Sequence, residues 1–303
     1  MPAVTAKLNG HATPSAGTTQ CPVPGVYPRV PFETYVSWPA LNHSTLRHMA
    51  RSPRHFKHAL DHPDKSETDS KRFGTAAHCL VLEPARFAGD VVRAPINEKT
   101  GRPYGSDTKA WAEYAALRPG KIVMTDEEIA DLKGLSDAVF ADEDAAALLG
   151  IKSGLSEVCI VWDCPITGLR CKGRVDRWIP RENKRVVRVD VKSTECADWS
   201  EFSHSVVKYG YHTQEAFYAI GCRALGFDGD GGLIVAAESA APYGINVATI
   251  DDDTVAIGDK LVREWLGRVK HCLSTGLWPG YFRPCPKFKA PEWYFKRFAD
   301  GLD

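Results

Sequence analysis

The sequence lacks an excess of charge of either sign. Lysine and arginine together number 38, as do aspartate and glutamate, so the formal net charge over 303 residues is zero. A uniformly basic surface for nucleic acid is therefore excluded. Any contact with DNA must come from a local basic patch, with acidic surface elsewhere on the molecule.

The sequence also lacks long apolar runs and clustered cysteines. No stretch approaches the roughly 20 apolar residues that a bilayer-spanning helix needs, so we expect no membrane association. The nine cysteines are spread evenly and form no C-x-x-C pair, which favours reduced thiols in a cytoplasmic chain over a disulfide framework. The same spread disfavours an iron–sulfur cluster.

The composition is that of an ordinary globular protein, with 44% hydrophobic and 25% charged residues. We expect one large domain over residues 31–280. Residues 1–30 are rich in Ala, Thr, Pro and Gly and lack the apolar centre of a signal peptide, which predicts a disordered tail. Residues 281–303 combine prolines with aromatics and are predicted to form an extended arm that packs on the domain or on a neighbouring subunit.

Hydrophobic periodicity predicts helices first, then strands, then a mixture of the two. Helices are predicted over 72–82, 125–140, 199–207, 213–225 and 253–274, and strands over 156–163, 169–179, 186–191, 233–237 and 245–250. Pro84 is expected to end the first of these helices. This order predicts an α/β fold with a mixed central sheet flanked by helices.

Two of the predicted strands each carry an acid near their end, Asp176 and Asp190, and Lys192 follows two positions later. Alternation along V-D-V-K puts Asp190 and Lys192 on one face of the strand and Val189 and Val191 on the other. Two carboxylates beside an ammonium can hold a divalent cation and activate water against a phosphodiester. The alternatives are a structural Asp190–Lys192 ion pair and a surface ion pair at Asp176.

Four further side chains could belong to such a site. His78 follows a patch of small residues, 74–77, that lets another element approach closely, although a lone histidine on an apolar helix can also be a core residue. Glu157 could orient a metal-bound water or the lysine, or it could face solvent. Gln214 and Tyr218 share one helix face because they are four residues apart, as they would in any amphipathic helix.

Taken together, these residues resemble the PD-(D/E)XK nuclease superfamily, and specifically the RecE-like exodeoxyribonuclease VIII family. The matching segments appear in family order between about residues 40 and 280. They are 42–56, 74–84 (G-T-A-A-H-C-L-V-L-E-P), 157–177, 189–194 (V-D-V-K-S-T) and 211–218 (Y-H-T-Q-E-A-F-Y). A D-x-K motif alone is a weak signal, whereas this ordered set is a specific one.

The resemblance implies a restriction-endonuclease-like fold and a set of site residues. His78, Asp176, Asp190 and the carbonyl of Val191 would hold Mg²⁺, and Mn²⁺ is expected to substitute because imidazole suits it. Lys192 would orient or polarise the attacking water, and Gln214 and Tyr218 would support the site. Glu157 is counted with these three as a catalytic residue. The resemblance also implies a bacterial or phage-encoded enzyme that degrades double-stranded DNA from its ends, 5′ to 3′, leaving 3′ single-stranded tails. A ring-shaped homo-oligomer and a RecT-like annealing partner would accompany it.

An enzyme that degrades every sequence must rely on phosphate contacts. The candidates lie near the first helices and by the strand hairpin: Arg47, Arg51, Arg54, Lys57, Lys172, Arg174 and Arg177. The alternative functions are an endonuclease or Cas4-like nuclease on the same scaffold, and a non-catalytic DNA-end-binding recombination factor. A Cas4-like protein needs four suitably placed cysteines, and a non-catalytic relative would have lost Asp176, Asp190 or Lys192.

Overall fold

The computed structural model describes residues 20–64, 66–150, 152, 154–281 and 289–298. The α-helices are α1 Phe32–Ser37, α2 His43–Leu46, α3 Pro53–Asp61, α4 Asp69–Leu82, α5 Pro84–Asp90, α6 Lys109–Ala116, α7 Asp126–Ala141, α8 Glu143–Leu149, α9 Trp199–Tyr209, α10 Tyr211–Ala224, α11 Asp252–Thr275 and α12 Glu292–Phe298. The strands are β1 Gly25–Tyr27, β2 Val91–Arg93, β3 Ile96–Asn97, β4 Arg102–Pro103, β5 Ile122–Met124, β6 Leu155–Asp163, β7 Arg170–Pro180, β8 Arg185–Thr194, β9 Asp228–Glu238 and β10 Ile245–Thr249.

Six of these strands form the central sheet, in the order β1-β6-β7-β8-β9-β10. Strands β8 and β9 run parallel, whereas the other four neighbouring pairs run antiparallel. The β6–β7 hairpin turns at Gly168, whose φ of 72° lies in the left-handed region that glycine adopts without a steric penalty. The prediction of a mixed central sheet flanked by helices is confirmed.

Helices cover both faces of the sheet. On one face, α10 and α11 enclose a core in which Trp162 of β6 meets Phe217 of α10 edge to face, with ring centroids 4.8 Å apart. On the other face, α4 and α7 pack against β8 and β9, and Val189 and Val191 lie in this second core. Asp190 faces the α10 side, as the alternation along β8 predicts.

The longest helix, α11, spans 24 residues and is amphipathic. It buries Val262, Trp265 and Leu266 against the α10 side of the sheet and exposes its other face. In the part of the chain that the structure describes, no helix combines the length and apolarity that crossing a bilayer requires.

Local signals explain several helix boundaries. Thr125 and Glu128 form the reciprocal capping box that opens α7. Helix α4 begins at Asp69, earlier than predicted, because Thr68 caps it by accepting the N–H of Lys71. We expected Pro84 only to end a helix. It also opens α5 at a first-turn position, where its missing N–H is not needed.

Both chain ends differ from the prediction. The predicted tail over residues 1–30 is wrong from Gly25 onward, because β1 pairs with the edge of β6 and Tyr27 packs 5.9 Å from Trp38. A strand of three residues is too short to show periodicity. In the predicted extended arm, the described residues instead contain α12, and residues 292–297 are exposed. Residues 1–19, 282–288 and 299–303 of the tail and arm lie outside the described residues.

Gly173 of β7 lets α10 lie close to the sheet. A Cβ at this position would lie 2.7 Å from Cε1 of Tyr218 and 2.9 Å from its Cδ1. The ring cannot easily move away, because the Tyr218 hydroxyl donates to the carbonyl of Arg174 at 2.9 Å. The glycine in the C-K-G-R-V-D segment is therefore required by packing.

We predict that Gly173→Ala lowers the free energy of unfolding by about 1–3 kcal/mol, the usual penalty of overpacking. The matched control is Gly267→Ala in α11, where an added Cβ meets no atom within 4 Å. This control is expected to raise stability by about 0.5–1 kcal/mol through helix propensity. Urea unfolding of both variants checks the prediction, and an equal effect of the two substitutions would contradict it.

Candidate functional site

The site forms where β7 and β8 separate. The two strands pair from Pro180 opposite Val186 to Arg177 opposite Val189, and the pairing then stops. The Oδ2 atom of Asp176, the next residue of β7, accepts the N–H of Val191 at 2.8 Å. Because this bond replaces a bond of the ladder, a carboxylate is built into the sheet at the point where it opens.

Three potential ligands gather around this carboxylate. The ligand atoms of His78, Glu157 and Asp176 all lie within 4.8 Å of one another. His78 comes from α4, and its Nδ1 atom lies 3.7 Å from Oδ2 of Asp176. Helix α4 approaches β8 closely, since a Cβ on Gly74 would lie 3.3 Å from Oγ of Ser193. The patch of small residues thus brings the histidine to the sheet.

Glu157 occupies an unusual position in β6. The pairing of β6 with β7 omits it, with Ser156 opposite Arg177 and Val158 opposite Val175 on either side. Its φ of 55° is left-handed, which costs a residue other than glycine roughly 1–2 kcal/mol. Its carboxylate forms an ion pair with Arg174 and joins the cluster with His78 and Asp176. The sequence left open two roles for Glu157, a residue that orients water or the lysine and a solvent-facing acid, whereas this position makes it a candidate ligand.

Asp190 lies on the other side of the opening between the strands. Its Oδ2 atom is 2.5 Å from Nζ of Lys192, and its Oδ1 atom accepts from Nε2 of Gln214 at 2.9 Å. The ion pair considered as an alternative is therefore present. Among the described residues, the three-residue cluster does not include Asp190, so its role as a ligand stays a prediction, as does that of the Val191 carbonyl.

One face of α10 holds β8 in place. The Tyr211 ring lies 4.8 Å from Nζ of Lys192, Gln214 donates to Asp190, and Glu215 forms a buried ion pair with Arg188. The three partners in β8 are residues 188, 190 and 192, which point to the same face because side chains alternate along a strand. The sequence predicted Gln214 and Tyr218 on this face but missed Arg188 and Glu215. The sequence offered one sign of this ion pair: Arg188 stands two residues before Asp190 and therefore lies on the same face of the strand.

The electrostatics of the site fit a bound cation. Burial raises the pKa of Asp176 to about 7, with His78 opposing and Asp190 adding to this rise. The Asp176 anion is thus destabilised unless positive charge is nearby. Burial lowers the pKa of Lys192, but the carboxylates of Asp190 and Asp176 outweigh burial and raise it above its ordinary value. Lys192 is therefore an ammonium at neutral pH, a donor rather than a base.

The donor set also fits a divalent metal. Two carboxylates and one imidazole leave several coordination positions for water and substrate, as an octahedral ion requires. Carboxylate oxygens suit Mg²⁺, and an imidazole nitrogen suits Mn²⁺ better.

The structure contradicts the prediction that Lys172 contacts DNA. Its side chain is 3% exposed, and its ammonium donates to the carbonyls of Tyr35, Val36 and Trp38 at 2.8, 3.0 and 2.7 Å. The lysine thus satisfies the last carbonyls of α1, a role that its position in the sequence does not reveal.

Two other predicted DNA contacts also have partners within the protein. Arg174 is half-buried, pairs with Glu157 and donates to the carbonyl of Val30 at 2.9 Å. Arg177 is half-buried and donates to Oγ of Ser156 at 3.1 Å. These bonds give both side chains structural roles.

The candidates near the first helices are more accessible. Arg47 is exposed, and it lines a groove of about 1070 Å³ that also reaches Gln214. Arg54 is exposed, Arg51 donates to the Tyr281 hydroxyl at 3.2 Å, and Lys57 pairs with Asp61. Arg47 is therefore the basic candidate that the fold places beside the site.

Comparison with known proteins gives a family match and a fold match. A family model described as a PDDEXK-like domain of unknown function (DUF3799) matches residues 42–291. A solved structure of a provisionally named exonuclease from Eubacterium rectale is similar, with a TM-score of 0.54 and 14% identity, over 87% of this chain and 94% of that chain. At this identity the likeness shows the fold alone. A second solved structure, of SSO0001, is matched over 85% of this chain and 93% of that chain at 16% identity, with a TM-score of only 0.29. The curated proteins give no match.

We predict that Glu157→Gln weakens binding of Mn²⁺ by at least about tenfold, because it removes one anionic ligand from the cluster. Isothermal titration of the purified chain with Mn²⁺ measures this change. The control is Glu182→Gln, an exposed glutamate in the turn between β7 and β8. Equal affinities of wild type and Glu157→Gln would assign Glu157 to the ion pair with Arg174 alone.

Proposed function

We propose that this chain, which belongs to the PDDEXK-like family DUF3799, is a divalent-metal-dependent exonuclease that degrades double-stranded DNA from its ends. One observation carries the proposal. The cluster of His78, Glu157 and Asp176 lies at the same opening of the sheet as the Asp190–Lys192 pair. An ion-binding set beside a permanent ammonium is what hydrolysis of a phosphodiester needs.

The direction and biological setting of the reaction belong to the same proposal. The resemblance to RecE-like enzymes supports 5′-to-3′ degradation that leaves 3′ single-stranded tails for recombination. It likewise supports Mg²⁺ as the ion, a ring-shaped homo-oligomer and a RecT-like annealing partner. The name given to the Eubacterium rectale protein supports an exonuclease over an endonuclease.

Each side chain has a defined task in this mechanism. His78, Glu157 and Asp176 would hold the ion, which when bound lowers the pKa of water and neutralises charge on the phosphate. Lys192 donates hydrogen bonds to the negative charge that grows on the phosphate oxygens in the transition state. Gln214 fixes the Asp190 carboxylate, which in turn fixes the ammonium of Lys192. Tyr218 anchors α10 to β7.

A time course on three DNA substrates tests the proposed activity. Linear duplex labelled at either end and covalently closed circular DNA are incubated with Mg²⁺, with Mn²⁺ and with chelator. The exonuclease proposal expects loss of linear DNA only, dependent on the ion, with the 5′ label released first. Cleavage of the closed circle would indicate an endonuclease, and binding of ends without cleavage would indicate a non-catalytic recombination factor.

We predict that Lys192→Ala reduces cleavage of linear duplex by at least about 100-fold, the typical loss when a donor to the transition state is removed. Asp190→Asn is expected to act similarly, because it weakens the hold on Lys192. The control is Lys260→Ala, which removes an exposed lysine from α11. Digestion by Lys192→Ala at nearly the wild-type rate would contradict the assignment, provided that its circular dichroism spectrum matches that of wild type.

A further inference from the structure

Two tyrosines stand at the edge of the site, one on each side of a sharp corner in the chain. Helix α9 ends at Tyr209, and α10 begins at Tyr211, with Gly210 between them. Gly210 has a φ of 75°, and a Cβ there would lie 2.9 Å from Oγ1 of Thr213. Both features require glycine, so the corner is fixed and the two rings stack, with centroids 5.9 Å apart and planes inclined by 27°.

This pair of rings links the reacting centre to the solvent. The Tyr211 ring lies 4.8 Å from Nζ of Lys192, and Tyr209 stacks on Tyr211 from outside. Tyr209 is 43% exposed, and both tyrosines line the groove that also reaches Arg47 and Gln214. A DNA strand bound along this groove would therefore contact the two tyrosine rings directly beside Lys192.

Two cations lie close to Tyr209. The guanidinium of Arg47 donates through Nη1 to the carbonyl of Tyr209 at 3.0 Å, which uses one of its five N–H donors. Nζ of Lys208 lies 5.1 Å from the Tyr209 ring centroid and is carried on a flexible, exposed side chain. An aromatic face with cations beside it is the combination that binds single-stranded nucleic acid, the ring stacking on the base and the cations contacting the backbone.

We infer that Tyr209 is a stacking platform for the nucleobase next to the phosphate that is cleaved. The inference rests on the proposed function and adds a residue that holds the strand beside the reacting centre. A base inside a duplex has both faces covered by its neighbours, and the terminal pair offers only its outer face, so the base beside the cleaved phosphate can lie flat on a ring at the side of the groove only after it has frayed. Tyr209 therefore receives a base that has left the duplex, and its contact favours the frayed end over the paired one.

Substitutions at Tyr209 test the inference through the kinetics of cleavage. Tyr209→Ala is expected to lower kcat/KM on end-labelled duplex by about tenfold, mainly through KM, since stacking on one aromatic ring supplies an effect of this order. Tyr209→Phe keeps the ring and is expected to retain nearly wild-type kinetics. The matched control is Trp199→Ala, because Trp199 is an aromatic of the same helix that is 41% exposed and lines a different groove.

Abasic substrates separate stacking from other roles of Tyr209. Duplexes that lack bases at the first few nucleotides of the cleaved strand should lower kcat/KM of the wild type by about tenfold. Tyr209→Ala should show no further loss on these substrates. The inference would be overturned if Tyr209→Ala lowered kcat/KM on the abasic duplex by a further tenfold, or if this variant had wild-type kinetics on the intact duplex. Either result would leave the exonuclease proposal unaffected.

A binding measurement in chelator tests the platform without cleavage. Duplex with 2-aminopurine at the terminal position is titrated with protein, and stacking on a ring is expected to quench its fluorescence with wild type and Tyr209→Phe but not with Tyr209→Ala. Equal quenching by all three proteins would overturn the inference. Failure of the wild type to bind or cleave any DNA would overturn the proposed function and the inference together.

Discussion

The hydrogen bond from the N–H of Val191 to the carboxylate of Asp176 is the interaction on which the site depends. It holds an anion in the sheet where β7 and β8 part. An anion in this position is costly unless positive charge compensates it. The ammonium of Lys192 lies across the opening, but burial is the larger effect and raises the pKa of Asp176 to about 7. This buried carboxylate, with His78 and Glu157 beside it, is therefore a candidate site for a cation.

The sheet divides the remaining tasks between its two faces. On the side of α4, His78 joins Glu157 and Asp176 in the candidate ion-binding cluster. On the side of α10, Gln214 restrains the Asp190–Lys192 pair. A glycine lies at each of the two helix–sheet contacts: Gly74 of α4 faces Ser193 of β8, and Gly173 of β7 faces Tyr218 of α10. Packing and the site are thus coupled at Gly173, because an added Cβ there would lie 2.7 Å from the Tyr218 ring of α10, the helix that also carries Gln214.

The sequence predicted the parts of this arrangement that follow from local pattern. Period-two alternation placed Asp190 and Lys192 opposite the valines, and helical spacing placed Gln214 with Tyr218. The left-handed conformation of Glu157 was not predictable, because tertiary contacts with Arg174 and the cluster impose it. The prediction that Lys172 contacts DNA was wrong for a related reason. A strand lysine in a basic segment suggests a phosphate contact, but here the fold places carbonyls of α1 around it. Local pattern identifies the face of a side chain and not the partner it meets.

The most direct test of the account is the position of a bound ion. Crystals grown with Mn²⁺ and measured at the manganese absorption edge would locate the metal by its anomalous scattering. The account predicts a peak within about 2.0–2.3 Å of a nitrogen of His78 and of carboxylate oxygens of Asp176 and Glu157, the range for such ligands. A peak bound by other residues, or no peak while these three side chains keep their places, would contradict it.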